Sequence, residues 1–266
     1  MKNMISMLPV ECISHIISLT SPRDACRSSL VSSVVREAAD SDFVWKSFLP
    51  QDIKQIISKS LLPSPSSLNS ISMKDLYFHL RIHHQHIILD GNMSFALEKQ
   101  SGKKCYMVCA RGLTIAWGDT PAYWHWITLL HSRFAEVAEL KRVWWLDIKA
   151  CIETKDLSPG TTYAAYLVYQ LSQHRYGLES PLVSRISYQQ SDVVTVHRVI
   201  LDPRPPLPRA RDRGDGWIEV EIGEFFIEQG DDDDIVECSV KEVSNSKRGL
   251  IVEGIEVRPK GRAGPG

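Results

Sequence analysis

Nothing in this chain of 266 residues is long and apolar enough to cross a bilayer, since no such run approaches the roughly 20 residues a span requires. The opening Met1-Lys2-Asn3-Met4-Ile5 has neither the extended apolar core nor the small-residue cleavage site of a secretion signal, so a place in the cytoplasm and nucleus is expected. An excess of one charge is also missing. The 31 Lys and Arg against 32 Asp and Glu leave a net charge of −1, which supplies no general pull toward nucleic acid or an anionic membrane. Cysteine is sparse and scattered (Cys12, Cys26, Cys105, Cys109, Cys151, Cys238), as expected of reduced thiols. Cys105 and Cys109 are four apart, but no second Cys or His pair completes a zinc site, and no metal or cofactor is expected. A Gly-x-Ser-x-Gly elbow, a phosphate-cradling glycine loop and a His-Glu-x-x-His pair are all lacking. Asp147, Glu153 and Asp156 are the carboxylates a glycosidase reading would draw on, but they fall near a strand end and in a turn. A non-catalytic chain is expected.

What is present divides by period. The hydrophobic share of 43% and charged share of 24% suit one large or two ordinary globular domains. Residues 1–50 carry short helical patterns. Pro9 suits a first helical turn, and Ile13, Ile16, Ile17 and Thr20 recur as one helical stripe. Ser21-Pro22-Arg23-Asp24 combines a cap, a proline at the first position and an acid at the third, which predicts a helix from Pro22 to about Val31. A shorter helix is expected over Val34 to Ala39, followed by a Ser41-capped turn bearing Phe43, Val44, Trp45, Phe48 and Leu49. A piece this small hides too little surface to stand alone, so it either packs on the rest of the chain or meets a partner.

Residues 51–89 read as a helical linker. Leu62-Pro63-Ser64-Pro65-Ser66-Ser67 breaks it, and Met73 to Ile82 forms a helix with Leu76, Tyr77 and Leu80 on one side. His79, His83, His84 and His86 near its end read as a surface cluster, because no acid or thiol completes a metal set.

From about residue 90 to 260 the period becomes 2. Met93, Phe95 and Leu97 alternate with polar neighbours, and Gln100 to Lys104 turns into Cys105 to Ala110. Strands are expected at Glu136–Leu140, Val143–Cys151, Thr161–Leu171, Val193–Leu201, Trp217–Ile222, Ile235–Val243 and Leu250–Val257. The Pro/Arg-rich stretch from Asp202 to Arg213 and the Asp231 to Asp234 run read as loops. The fold class is therefore α+β in sequence terms: a small all-α front end, then an all-β antiparallel sandwich of jelly-roll type, with a tail at 261–266.

One stretch carries candidate binding chemistry. Around Gly118-Asp119-Thr120-Pro121, the chain sets Trp117, Tyr123, Trp124 and Trp126. Indole rings suit the apolar C–H faces of sugars, and nearby carboxylates suit hydroxyls. The same rings could instead cap one end of the sandwich core. Glu242 falls by parity with Val236, Cys238 and Val240, where a carboxylate needs a partner or an opening to water.

Two resemblances follow from these residues. Leu8-Pro9-x-Glu11-x-Ile13-x-x-Ile16-Ile17-x-Leu19, with Pro22-x-Asp24-Ala25, Leu30-Val31-Ser32 and Trp45, resembles an F-box. That family docks on the Skp adaptor of Skp–cullin–F-box ubiquitin ligases, which would put Leu8, Pro9, Ile13, Ile16, Leu19 and Leu30 at or under the Skp interface. Further on, the chain carries Trp117-Gly118-Asp119, Tyr123-Trp124-x-Trp126, Phe134-x-Glu136-Val137-Ala138-Glu139-Leu140, Thr161 to Val168, Gly214-Asp215-Gly216-Trp217, Gly223-Glu224-Phe225-Phe226 and Gly249 to Val252. These resemble the phloem protein 2 (Nictaba-related) lectins of plants, a family associated with N-acetylglucosamine oligomers and N-glycan parts. By that resemblance Trp117 and Trp124 stack on sugar and Glu242 makes a polar contact, with Asp119 and Tyr123 as neighbours. A second acid of the tobacco lectin falls on Ile235, which cannot accept a hydrogen bond. The two resemblances imply a ligase subunit that joins Skp, and through it cullin, to a glycoprotein. The alternatives are a sandwich that reads protein surface instead of sugar, or a free lectin of cytoplasm and nucleus.

Overall fold

The computed structural model describes residues 8–60, 71–81, 86–99, 101–190, 194–203, 210–230 and 233–261. The Pro/Ser break, His83, His84, Asp231, Asp232 and most of the Pro/Arg-rich stretch lie outside these. The chain forms two compact units, residues 1–90 with 95–104, and residues 91–94 with 105–266.

The first unit is helical: α1 (Val10–Ser18), α2 (Pro22–Ser28), α3 (Ser33–Asp40), α4 (Asp42–Phe48), α5 (Ile53–Ser58) and α6 (Met73–Arg81), with the short strand β1 (Ile87–Leu89). Local chemistry sets the starts. Ser21 Oγ accepts from Asp24 N at 3.1 Å and donates to Asp24 Oδ2 at 2.7 Å, so α2 begins at the side-chain cap its sequence announces. Ser32 Oγ accepts from Val35 N at 3.3 Å and starts α3.

Three expectations change here. The stripe on α1 splits: Ile13 and Ile17 are buried while Ile16 is exposed. Ser14 takes the remaining buried place because its hydroxyl donates to Ala38 O at 3.2 Å. Helix α2 ends at Ser28, leaving Leu30 and Val31 in a turn. The Ser41 turn is the helix α4, and Ser41 Oγ bonds back to Ala38 O instead of capping forward. Trp45 of α4 centres the unit's core. It is buried, its Nε1 donates to Ala39 O at 2.7 Å, and its ring lies 5.3 Å from Tyr77 and edge-on to Phe48 at 5.7 Å.

The second unit is built of antiparallel strands. The residues of β2 (Met93–Leu97) divide between the units. The others are β3 (Lys104–Cys109), β4 (Thr114–Ile115), β5 (Trp124–Ile127), β6 (Val137–Leu140), β7 (Leu146–Glu153), β8 (Thr161–Tyr176), β9 (Leu182–Tyr188), β10 (Val194–Val199), β11 (Ala210–Asp212), β12 (Ile218–Ile227), β13 (Ile235–Glu242) and β14 (Arg248–Pro259). One layer runs β3-β14-β8-β12-β11, with β6 and then β5 joining on β14; the other runs β10-β9-β13-β7-β4. In β7, Leu146, Ile148, Ala150 and Ile152 are buried, and Asp147, Lys149, Cys151 and Glu153 face outward, the alternation of a sheet covered on one side. The layers come close where β12 bulges. A Cβ on Gly223 would stand 2.6 Å from Ile186 Cγ1 of β9, so only glycine fits there.

Candidate functional site

The aromatic loop is held at both ends. Strand β4 pairs with β7, Thr114 opposite Lys149 and Ile115 opposite Ile148, and Ala116 N extends the ladder to Asp147 O at 2.9 Å. The chain then turns through Trp117 at φ 61, a conformation a bulky residue adopts only when its surroundings impose it. Two indoles impose it. Trp124 Nε1 donates to Ala116 O at 3.1 Å and Trp126 Nε1 to Gly118 O at 3.2 Å, fixing the carbonyls on either side of Trp117. Trp126 is itself covered by the Arg111 guanidinium, 3.7 Å from its ring and paired with Glu136 at 2.8 Å.

The consequence is a division of labour among the expected residues. Trp117 is 60% exposed, with the Tyr123 ring beside it at 6.2 Å, and Asp119 is exposed between them in sequence. The two rings come together, and Asp119 lies in the turn that joins them. Trp124, expected to stack on sugar, is 2% exposed and spends its N–H on the loop. Strand β5 begins at Trp124, and its register opposite Leu140 turns that side chain inward. It is a positioning residue, and the expectation of a sugar contact there is corrected.

Glu242 has found the partner its parity required. It is buried at the end of β13, paired with the fully buried Lys247 and accepting from Ser244 N at 2.7 Å. Burial works to raise its pKa, but Lys247 and Ser244 outweigh that and the net displacement is downward. Lys247 also donates to Trp144 O at 2.8 Å. Glu242 therefore props the chain at this end instead of offering its carboxylate outward. It lies opposite Leu146 while Ala116 bonds Asp147 on the other side of β7. Two strand spacings, roughly 10 Å, thus separate it from the loop backbone. Ile235 lies opposite Glu153, at the far end of β13 and roughly 24 Å along the strand. The missing acid leaves the loop end untouched. Asp234, from the acidic run, is buried and accepts from Gln190 N and Ile235 N, a structural turn.

Asp147 and Glu153 stand six residues apart on one face of β7, roughly 20 Å, beyond the ~5–9.5 Å over which paired carboxylates hydrolyse glycosides. Trp144 and Trp145, expected inside a strand, stand exposed just before β7.

The helical unit sorts its side chains as cleanly. Ile13 lies beneath the surface, and Leu8, Pro9, Ile16, Leu19 and Leu30 are exposed, Leu19 at 75% and Leu30 at 78%. Val31 and Phe43 are exposed too.

A phloem protein 2 family model matches residues 103–259 and an F-box-like model matches residues 5–51. The chain belongs to the F-box proteins of the phloem protein 2 family. Its relatives in Arabidopsis thaliana include F-box protein PP2-B10, 40% identical over 94% of this chain and 92% of that one. F-box protein PP2-B15 is 38% identical over 96% of each. Among solved structures, a family 35 carbohydrate binding module from Clostridium thermocellum is 13% identical over 57% of this chain and 96% of its own, with a TM-score of 0.31, a likeness too loose to bear on the site. Family membership places the exposed helical residues in the F-box-like match and the aromatic loop in the phloem protein 2 match.

Proposed function

We propose that this chain is the target-selecting subunit of an Skp–cullin–F-box ubiquitin ligase, its helical unit seated on Skp and its β unit holding a glycan-bearing protein. The observation that carries the reading is the sorting of the front-end side chains. Ile13 and Ile17 make a core, which leaves Leu8, Ile16, Leu19 and Leu30 bare although burying each would be worth about 1.5–3 kcal/mol. A patch of that kind marks an interface. Family membership supports Skp as the occupant. The chain supplies no transfer chemistry of its own; it works by holding a target near the enzyme that modifies it, in the cytoplasm and nucleus.

The test has two arms. Co-expression with Skp should yield a complex that Ile16→Asp with Leu19→Asp abolishes while the circular dichroism spectrum is kept; an undiminished complex refutes the docking face. Immobilised N-acetylglucosamine oligomers should retain the wild type and release Trp117→Ala, with Trp124→Ala instead lowering the melting temperature. Retention of Trp117→Ala at wild-type strength refutes the stacking role.

A second reading keeps the ligase and drops the sugar. It is favoured by the burial of Trp124 and the engagement of Glu242, which leave one of the two expected indoles in reach. Glycosidase treatment of the bound target separates the two readings, since only sugar recognition is lost by it.

A further inference from the structure

Two more indoles stand at the loop's end of the β unit, outside every residue so far given a role there. Val143 is buried and bridged to Lys247, and β7 begins at Leu146, so Trp144 and Trp145 fill the interval at 60% and 50% exposure. Trp145 shares the outer face of β7 with Asp147, two residues on. Lys241 lies opposite Asp147 on β13. Its Nζ sits 4.5 Å from the centre of the Trp145 ring and 3.5 Å from Asp147 Oδ2. Ring, ammonium and carboxylate thus form one cluster. Asp147 Oδ1 is covered and, among the described residues, accepts no hydrogen bond, which leaves an acceptor in want of a donor. Lys241 is half exposed and is the movable member.

The cluster is continuous with the aromatic loop. Ala116 N donates to the carbonyl of the same Asp147, and the chain turns into the loop at the next residue, Trp117. Neighbouring backbones in such a ladder are roughly 5 Å apart.

We propose that Trp145, with Lys241 and Asp147, is a second saccharide subsite beside Trp117 and Tyr123, so that this end of the sheet takes an oligosaccharide of several units. The ring offers a flat apolar face for pyranose C–H groups, the ammonium donates to hydroxyl oxygens, and the unpartnered Asp147 oxygen accepts from a hydroxyl once Lys241 shifts. A peptide side chain could use the ring or the charges; a hydroxylated ring uses all three together. This rests on the sugar-binding reading and adds length selectivity to it.

Calorimetric titration with the dimer and the tetramer of N-acetylglucosamine tests it. The wild type should hold the tetramer about tenfold more tightly than the dimer. Trp145→Ala should remove that preference and leave dimer affinity and melting temperature unchanged, with Trp145→Phe restoring most of it. A tetramer preference that survives Trp145→Ala, or equal losses for both ligands, overturns the second subsite while the first stands. Failure to bind the dimer at all, or dimer binding indifferent to Trp117→Ala, overturns the sugar reading and this subsite with it.

Discussion

Changing Glu256 to Gln removes one charge from a buried ionic lattice of the β unit, and its effect can be worked from the contacts. Glu256 of β14 pairs closely with Arg213 Nη1 and meets Arg258 Nη1 at 3.3 Å. The same two guanidinium groups hold Glu219 of β12 at 2.9 and 2.6 Å, and Arg258 lies 3.7 Å over the Tyr166 ring. Burial by itself would raise the Glu256 pKa, but Arg213, Arg133 and Arg258 overcome it and carry the group from 4.5 to about 2. At about 1.36 kcal/mol per pH unit, that displacement corresponds to about 3 kcal/mol of folding stability. Because the folded value is depressed, the contribution is complete above the unfolded value of 4.5 and drains away as the pH falls toward 2. Arg213 keeps Glu219 and, at 3.6 Å, Asp215, so the substitution orphans no guanidinium. Equilibrium urea unfolding of the full chain should therefore show Glu256→Gln about 3 kcal/mol less stable at pH 7, with most of the difference gone near pH 2. A variant as stable as wild type at pH 7, or a deficit equal at both pH values, refutes the account.

Glu253 offers the opposite sign. Burial raises its pKa against the pull of Arg133 and Ser132, so the folded state prefers it protonated, and its ionisation costs stability as pH rises through the folded value. Glu253→Gln keeps an acceptor for Ser132 Oγ and Arg133 N, both at 3.1 Å, and should melt higher at pH 7 with no gain at pH 4. Trp45→Ala should cost about 3–5 kcal/mol and show as lost hydrogen-exchange protection in the helical unit, with the β unit's amides still protected. Gly249 has φ +82, and a Cβ there would stand 2.4 Å from Ser172 Oγ and 2.8 Å from Arg175 Cα. Gly230 has φ +91, and among the described residues nothing would stand within 4 Å of a Cβ there. Urea unfolding should show Gly249→Ala losing about 2 kcal/mol more than Gly230→Ala, whose cost is backbone strain alone.

What could be read from the sequence, and what could not, follows from the range of the forces involved. Caps are local, so Ser21-Pro22-Arg23-Asp24 marked the start of α2 correctly, and alternation marked β13 and the body of β7, though not its start. A stripe of isoleucines says how many apolar side chains a helix carries, but the inner face is chosen by packing. On α1 the choice fell on Ile13, Ser14 and Ile17, and the serine was admitted by a hydrogen bond to Ala38, twenty-four residues away. Strand β9 alternates Leu182, Ser184 and Ile186, and a buried serine hid its period.

The aromatic loop shows the same limit at the site itself. Four rings within ten residues declare a large apolar payload, but not which ring faces water. That is settled by strand register and by where each indole N–H finds a carbonyl. Trp124 and Trp126 are turned to the carbonyls of Ala116 and Gly118, and those two bonds hold Trp117 in a backbone conformation it would not choose. Substituting either of these hydrogen-bonded indoles would release Trp117 to relax as well as remove a ring. A loss of ligand on changing Trp124 is therefore no evidence that Trp124 touches the ligand. Only a probe that holds the loop closed while Trp117 alone is shortened assigns the contact. Trp117→Ala with Trp124 and Trp126 intact is that probe, because the bonds that shape the loop are made by side chains it leaves in place.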